Sequence, residues 1–152
     1  MAEEKLPHTQ KSKRDWRAEG ELPYDRIPAF KAAYDCYKEC QFRFRNVPAD
    51  AKSLARAVKT RLLRVMVCIA HARLNIRVLP SLSEAVDFSL ETQVILRVLV
   101  DTNALSKKDF ANITKYSENL VRQMVGWSVS EEKKRSSPSA HQPLTPSLFD
   151  NE

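Results

Sequence analysis

Glycine is nearly absent from this chain of 152 residues, which has only Gly20 and Gly126. β-Rich folds and phosphate-cradling loops usually need more glycine, because glycine adopts left-handed backbone angles at little cost. The shortage therefore argues against both and favours a helical protein.

Long apolar runs and cysteines are also few. The longest apolar run, Val65–Ala70, is far shorter than the ~20 residues that a membrane-spanning helix needs, and the first residues, MAEEKLPHTQKSKRD, lack the apolar centre of a secretory signal. Cys36, Cys40 and Cys68 make an odd count without the spacing of a disulfide framework, and no histidine lies near them in sequence. We expect buried, reduced thiols, no metal or other cofactor, no membrane contact and a cytoplasmic location.

Acidic residues are missing altogether between Ala51 and Arg77, AKSLARAVKTRLLRVMVCIAHARLNIR. A solvated helix face normally mixes both signs, because opposite charges at i, i+4 add stability and like charges subtract it. Either acidic residues of neighbouring helices pair with this segment, or a polyanion outside the protein binds it. The seven cations concerned are Lys52, Arg56, Lys59, Arg61, Arg64, Arg73 and Arg77.

The rest of the composition is that of a folded protein with one domain. Hydrophobic residues make up 43% of the chain and charged residues 29%, and the net charge is +6. This charge favours anionic partners. The polar ends, which carry most of the prolines, predict a flexible basic arm over 1–25 and a disordered tail over 130–152, with the folded domain at 26–129.

Within 26–129, apolar residues recur at steps of three and four, which predicts four helices. The first begins near Ile27, with Asp25 near its cap and Pro28 in its first turn, and the second begins near Ala49. Pro80 is predicted to interrupt the helical structure between the second helix and the third. The expected core positions of these two helices are Phe30, Ala33, Tyr37, Cys40, Phe44, Leu54, Val58, Leu62, Val65, Ile69, Ala72 and Ile76.

Two capping boxes predict the starts of the remaining helices. The first, Ser81–Glu84, begins a helix that ends around Asn103, and the second, Ser106–Asp109, begins a helix that ends at Gly126 and Trp127. Their expected core positions are Ala85, Phe88, Thr92, Ile95, Leu99, Phe110, Ile113, Ser117, Leu120, Met124 and Trp127. Because the links are short, we expect an all-α, up-down antiparallel four-helix bundle.

Two apolar residues of the second helix do not fit its core stripe. At ~100° per residue, Leu63 and Val67 point to nearly the opposite side of that helix. This second edge predicts a contact between subunits. Tyr34, Tyr37 and Trp127 lie at core spacing, so we expect them to pack inside rather than to stack on bases.

The order of these features resembles that of the accessory variability determinant (Avd) of diversity-generating retroelements. The resemblance spans Ile27–Val129 and is carried mainly by Leu105–Trp127, within the fourth helix LSKKDFANITKYSENLVRQMVGW. The turn RNVPAD, the basic second helix and the start LPSLSEA of the third helix contribute to it. The chain is similar, more distantly, to the four-helix bundle proteins encoded in intervening sequences of bacterial large-subunit rRNA.

The resemblance implies a non-catalytic protein that assembles into a ring-shaped homo-oligomer, a pentamer, and supports mutagenic cDNA synthesis. Its partners would be a reverse transcriptase, RNA or an RNA/cDNA hybrid, and further copies of itself. On this hypothesis Leu63 and Val67 are subunit contacts. The RNA- or polymerase-binding residues are Lys52, Arg56, Lys59, Arg61, Arg64, Arg73 and Arg77.

Two alternatives stay open. One is a stand-alone RNA-binding bundle of the rRNA intervening-sequence type, with no polymerase partner. The other is a ribonuclease of the HEPN type, in which Arg64 and His71 on one helix face would handle a scissile phosphate and a 2′-hydroxyl proton. A polar residue commonly follows that arginine in HEPN proteins, whereas Val65 follows it here.

Overall fold

The computed structural model describes residue 20, residue 22 and residues 24–137. Within that part of the chain the fold is all-α, with four helices and no strand, as predicted. Two short 3-10 turns, Phe44–Asn46 and Ala49–Ala51, connect the first helix to the second. The helices are α1 (Pro28–Arg43), α2 (Lys52–Arg73), α3 (Val78–Asp101) and α4 (Lys107–Arg135).

Each helix packs against the next one in the chain, and α4 packs back against α1, so the four helices form a closed bundle. Side-chain contacts give their directions. Lys59 in the first half of α2 donates to Gln41 near the end of α1, at 3.0 Å, and Arg43 at the end of α1 donates to Asp109 at the start of α4, also at 3.0 Å. Neighbouring helices therefore run antiparallel, as predicted for an up-down bundle.

Most of the predicted core positions are buried. Leu62, Ile69, Leu99, Leu120 and Met124 are among the large side chains with almost no exposed surface. Tyr37, Leu54, Phe88, Ile95, Phe110 and Trp127 are only partly buried and pack around the edge of the core. The prediction for Ile76 is wrong: its side chain is 54% exposed, because α2 ends at Arg73 and Ile76 lies in the link to α3.

The predicted start of α3 is also wrong. The helix begins at Val78, and Pro80 lies within its first turn rather than interrupting the helical structure before it. Proline is tolerated there because the first N–H groups of a helix have no intrahelical partner. Arg77 precedes the helix in a left-handed conformation, with φ of 48°. Ser81, the predicted cap, is instead buried within α3 and donates to the Ile76 carbonyl at 3.3 Å.

The other helix ends show which cap predictions hold. Ser106 caps α4, because its side chain accepts a hydrogen bond from the Asp109 N–H at 3.0 Å. Pro28 occupies the first turn of α1 as predicted, but Asp25 does not cap that helix. Its carboxylate accepts from the Leu22 N–H at 2.6 Å, and Ile27 is the residue at the cap position.

The α4 helix is longer than its apolar pattern predicts. Its predicted end was at Gly126 and Trp127, and it continues to Arg135, into the first residues of the predicted tail. Three basic residues, Lys133, Lys134 and Arg135, occupy its last turn, where cations stabilise the negative end of the helix dipole. Most of the predicted N-terminal arm and the last 15 residues of the predicted tail, 138–152, lie outside the described residues.

Candidate nucleic-acid interface on the second helix

The side of α2 that faces away from the core is basic. The core side carries Val58, Leu62 and Val65, and the 3.6-residue period turns Lys52 and Arg56 outward, where both are exposed. Arg64 is exposed further along the same helix. In the part of the chain that the structure describes, no ion pair involves Lys52, Arg56 or Arg64.

Pairing with the acidic third helix accounts for one of the seven cations. Arg61 lies on the flank of α2 next to α3, and its Nε donates to the Glu91 carboxylate at 2.6 Å. Lys59 lies on the other flank, where its Nζ bonds the Gln41 amide oxygen of α1 at 3.0 Å. A neighbouring helix therefore compensates for part of the absence of acidic residues from α2. Most of the positive charge of α2 faces outward.

The seven cations do not form one continuous patch. Arg73 is the last residue of α2, so at 1.5 Å per residue it lies about 30 Å along the helix from Lys52. Arg77 lies beyond it in the link to α3. We call Lys52, Arg56 and Lys59, which share the N-terminal half of the helix, the α2 basic cluster.

The outer face of α1 carries exposed aromatic residues that the sequence pattern did not reveal. The expectation that Tyr34 packs in the core is wrong: its ring is 49% exposed, and Lys38 Nζ lies 4.8 Å from the ring centre. Phe42 is 53% exposed, and the guanidinium groups of Arg43 and Arg45 lie 5.2 and 4.9 Å from its ring centre. Exposed rings next to cations are the surface on which unpaired bases stack.

The signal for this aromatic surface is present in the sequence. Tyr34, Lys38 and Phe42 are spaced four residues apart, so they follow one ridge of a helix. The hydrogen bond from Lys59 to Gln41, the residue before Phe42, places this end of α1 beside the α2 basic cluster. Positive charge and the exposed ring of Phe42 thus come together at one end of the bundle, and Tyr34 lies about two turns away along α1.

A groove of about 920 Å³ runs between α1 and α2. Phe30, Tyr34 and Tyr37 line it from α1, and Leu63 and Met66 from α2. The predicted subunit contact Leu63 thus borders a largely apolar hollow, and Val67 lies exposed one turn further on. Charged residues along the groove are Asp25, Arg26, Lys31, Asp35 and Lys38.

The three thiols are free and buried, as predicted. A hydrogen bond with Cys36, followed by burial, raises the pKa of Cys40 above its ordinary value. Burial raises the pKa of Cys68, and the charge of Glu84 adds to that rise. Protonated thiols are poor nucleophiles and poor metal ligands. Within the described residues, no group of three or more His, Cys, Asp and Glu could hold a metal ion.

The candidate ribonuclease pair lies on the surface. Arg64 and His71 are both exposed on the outer side of α2. They are seven residues apart, so their Cα atoms are separated by about 10.5 Å along the helix axis. The two side chains would have to extend toward each other along the helix to reach one phosphate.

Comparison of the chain with protein-family models, curated proteins and solved structures finds no match in any of the three. Membership of the Avd family is therefore a hypothesis supported by the order of sequence features. No helix in the described part of the chain is both long enough and apolar enough to cross a bilayer.

Proposed function

We propose that this protein is a non-catalytic accessory protein of a diversity-generating retroelement, which binds RNA and the reverse transcriptase and supports mutagenic cDNA synthesis. One observation carries the proposal. The outer side of α2 has no acidic residue, and within the described residues its cations Lys52, Arg56 and Arg64 form no ion pair.

The α2 basic cluster contacts the RNA backbone. Lys52, Arg56 and Lys59 are spaced four and three residues apart, so they project along one side of the helix. Phosphate contacts of this kind supply affinity and orientation without selecting a sequence. That property suits an accessory protein which holds a template while the polymerase copies it.

The exposed rings of α1 contact the bases. Phe42 with Arg43 and Arg45 offers a stacking surface beside the basic cluster, and Tyr34 with Lys38 offers a second one about two turns back along α1. Stacking accepts any base, because every base has a π-face. Unpaired template RNA, which presents both phosphates and open base faces, is the ligand that matches both features.

Assembly into a ring, with five copies as in the Avd proteins that the sequence resembles, is part of the proposal. Its support on this chain is the exposed apolar pair Leu63 and Val67, which the bundle core does not use. A ring repeats the α2 basic cluster around the assembly, so weak contacts in each subunit add through avidity.

Reconstituted cDNA synthesis with the reverse transcriptase and its template RNA tests this function. The triple variant K52E/R56E/K59E is expected to abolish synthesis. The matched control is K107E/K108E/K115E, which reverses three exposed charges on α4 and should retain synthesis. Equal synthesis by the parent and the α2 variant would refute the role of this cluster.

A genomic observation tests the retroelement assignment separately. We expect a reverse transcriptase gene and a pair of template and variable repeats beside the gene for this protein. If both are absent and the protein binds RNA but no polymerase, the stand-alone RNA-binding bundle is the correct function. Purified protein should leave RNA intact, and cleavage that His71→Ala abolishes would establish the ribonuclease instead.

A further inference from the structure

The outer side of α3 carries an apolar ridge that the bundle does not cover. Leu90, Val94 and Val98 are spaced four residues apart, and all three are exposed, Val94 to 64%. The opposite side of the helix packs in the core through Leu82, Leu96 and Leu99. A helix that is apolar on both sides is typical of one that is buried on both sides.

This ridge borders a groove of about 590 Å³ with an acidic edge. Five residues of α3 line it, of which Leu90, Val94 and Ile95 are apolar and Asp87 and Glu91 are acidic, and Arg61 of α2 completes the lining. Glu91 is held by Arg61 at 2.6 Å, whereas Asp87 forms no ion pair within the described residues. We call these five residues the α3 groove.

The outer side of α2 carries exposed apolar residues beside a charge of the opposite sign. Leu63 and Val67 project from it, and the exposed Arg64 next to them has no ion pair in the described part of the chain. We call these three residues the α2 knob. An apolar pair beside an unpaired cation matches an apolar groove beside an unpaired carboxylate.

We propose that copies of this chain assemble head to tail, with the α2 knob of one copy seated in the α3 groove of the next. The inference extends the assembly that forms part of the proposed function, although it rests on these two surfaces and not on RNA or polymerase binding. The acids missing from α2 would then come in part from the neighbouring copy.

Two of the three knob residues lie level with residues of the groove along the bundle axis. The bond from Arg61 to Glu91 shows which residues of antiparallel α2 and α3 lie level with each other. Counting from that pair, Leu63 is level with Ser89, next to Leu90, and Arg64 is level with Phe88, next to Asp87. Val67 is level with Ala85, beyond the groove residues. A rotation about the bundle axis, without a shift along it, therefore brings Leu63 to the height of Leu90 and Arg64 to the height of Asp87.

The directions of the two surfaces favour a closed ring. Knob and groove are different surfaces, so each copy contacts one neighbour through its knob and another through its groove. Such heterologous contacts form a closed ring when the rotation between copies is a whole fraction of 360°. In a four-helix bundle of square section, the outer sides of α2 and α3 point about 90° apart. In a closed ring, the angle between the two contact surfaces of one copy is about 90° for four copies and about 108° for five. The geometry thus suits a small ring.

A mixing experiment tests the inference. Leu63→Asp removes the knob and leaves the groove, whereas Val94→Asp removes the groove and leaves the knob. Each variant alone should be a monomer of about 17.4 kDa by light scattering. An equal mixture should form a dimer of twice that mass and nothing larger, because only one intact knob meets one intact groove.

Val125→Asp is the matched control, since Val125 is an exposed valine on α4. It should assemble like the parent chain. Circular dichroism and thermal melting show whether each variant is folded. As a second set, Arg64→Glu and Asp87→Arg should each weaken assembly, and the two together in one chain should restore it.

A mixture that stays monomeric, or a Val94→Asp variant that assembles like the parent, would overturn the inference. If the parent chain still forms a ring in either case, the ring uses another interface and the proposed function is not contradicted. A parent chain that is monomeric at micromolar concentration would overturn both the inference and the proposed ring. RNA binding is measured independently, so its failure does not affect this result.

Discussion

Leu62 and Leu63 are neighbours in sequence but lie on different sides of α2. The Leu62 side chain is 1% exposed and the Leu63 side chain 47% exposed. We predict that Leu62→Ala lowers the free energy of unfolding by about 2–5 kcal/mol, because it removes buried methyl groups and leaves a cavity. Denaturant-induced unfolding followed by circular dichroism measures this loss.

Leu63→Ala is the internal control for that prediction, since the chemical change is identical one residue away. At an exposed position the cost should stay within about 0.5 kcal/mol. The measurement is made at a concentration where the chain is monomeric, so that lost assembly does not contribute. Similar losses for both variants would show that the assignment of the two sides of α2 is wrong.

The three buried thiols give a second prediction about single residues. Their burial, together with the raised pKa of Cys40 and Cys68, keeps the thiolate population of those two low at pH 8. We predict slow reaction of all three thiols with an aromatic disulfide reagent in the native protein and rapid reaction after unfolding. Fast reaction of even one thiol in native buffer would contradict the burial.

Single residues show where sequence patterns succeed and where they fail. Val58, Leu62 and Ile69 were predictable because a regular apolar stripe along a long helix shows which side of the helix faces the core. Tyr34 was not, because α1 carries apolar or aromatic residues around much of its circumference and its phase is ambiguous. Ile76 fitted the stripe of α2, but the helix ends three residues earlier, and periodicity does not reveal an end.

At the scale of helices, the cap of α4 has a measurable effect. The Ser106 side chain accepts the Asp109 N–H, one of the N–H groups that the helix itself leaves without a partner. We predict that Ser106→Ala lowers the free energy of unfolding by about 0.5–2 kcal/mol.

Ser83→Ala is the control for the cap, because Ser83 is exposed in α3 and its side chain makes no hydrogen bond within the described residues. It should leave stability nearly unchanged. Equal stability of the Ser106 variant and the parent in urea unfolding would mean that water replaces the cap without loss.

Both predicted capping boxes have the same kind of sequence, yet only the one at Ser106 caps a helix. The chain before Ser81 continues the helix, since Pro80 is tolerated in a first turn and Arg77 accepts a left-handed conformation. The left-handed backbone at Arg77 costs energy for any residue with a Cβ, so local sequence does not favour it. Packing of Val78 and Leu82 into the core offsets that cost.

At the scale of the whole molecule, the bundle was predictable and its outer surfaces only in part. Four amphipathic helices with short links allow few arrangements, and the antiparallel one was predicted correctly. The charge of α2 and its edge at Leu63 and Val67 were visible in the sequence. The groove on α3 was not, because it depends on which side of that largely apolar helix the bundle leaves exposed.

We propose that the α2 basic cluster binds RNA through phosphates. Binding of a short single-stranded RNA, measured at increasing salt, tests it most directly, because each phosphate contact adds about 0.7 to the slope of log K against log salt. The variant K52E/R56E/K59E should bind more weakly and with a slope shallower by about 2, since three contacts are lost.

The control K107E/K108E/K115E reverses the same number of charges on α4, so it separates the α2 cluster from net charge. It should keep the slope of the parent chain, and all three proteins should have the same helix content and mass in solution. We predict a shallower slope for the α2 variant alone. Equal slopes for parent, control and α2 variant would contradict it, and the RNA-binding surface would then lie on another helix.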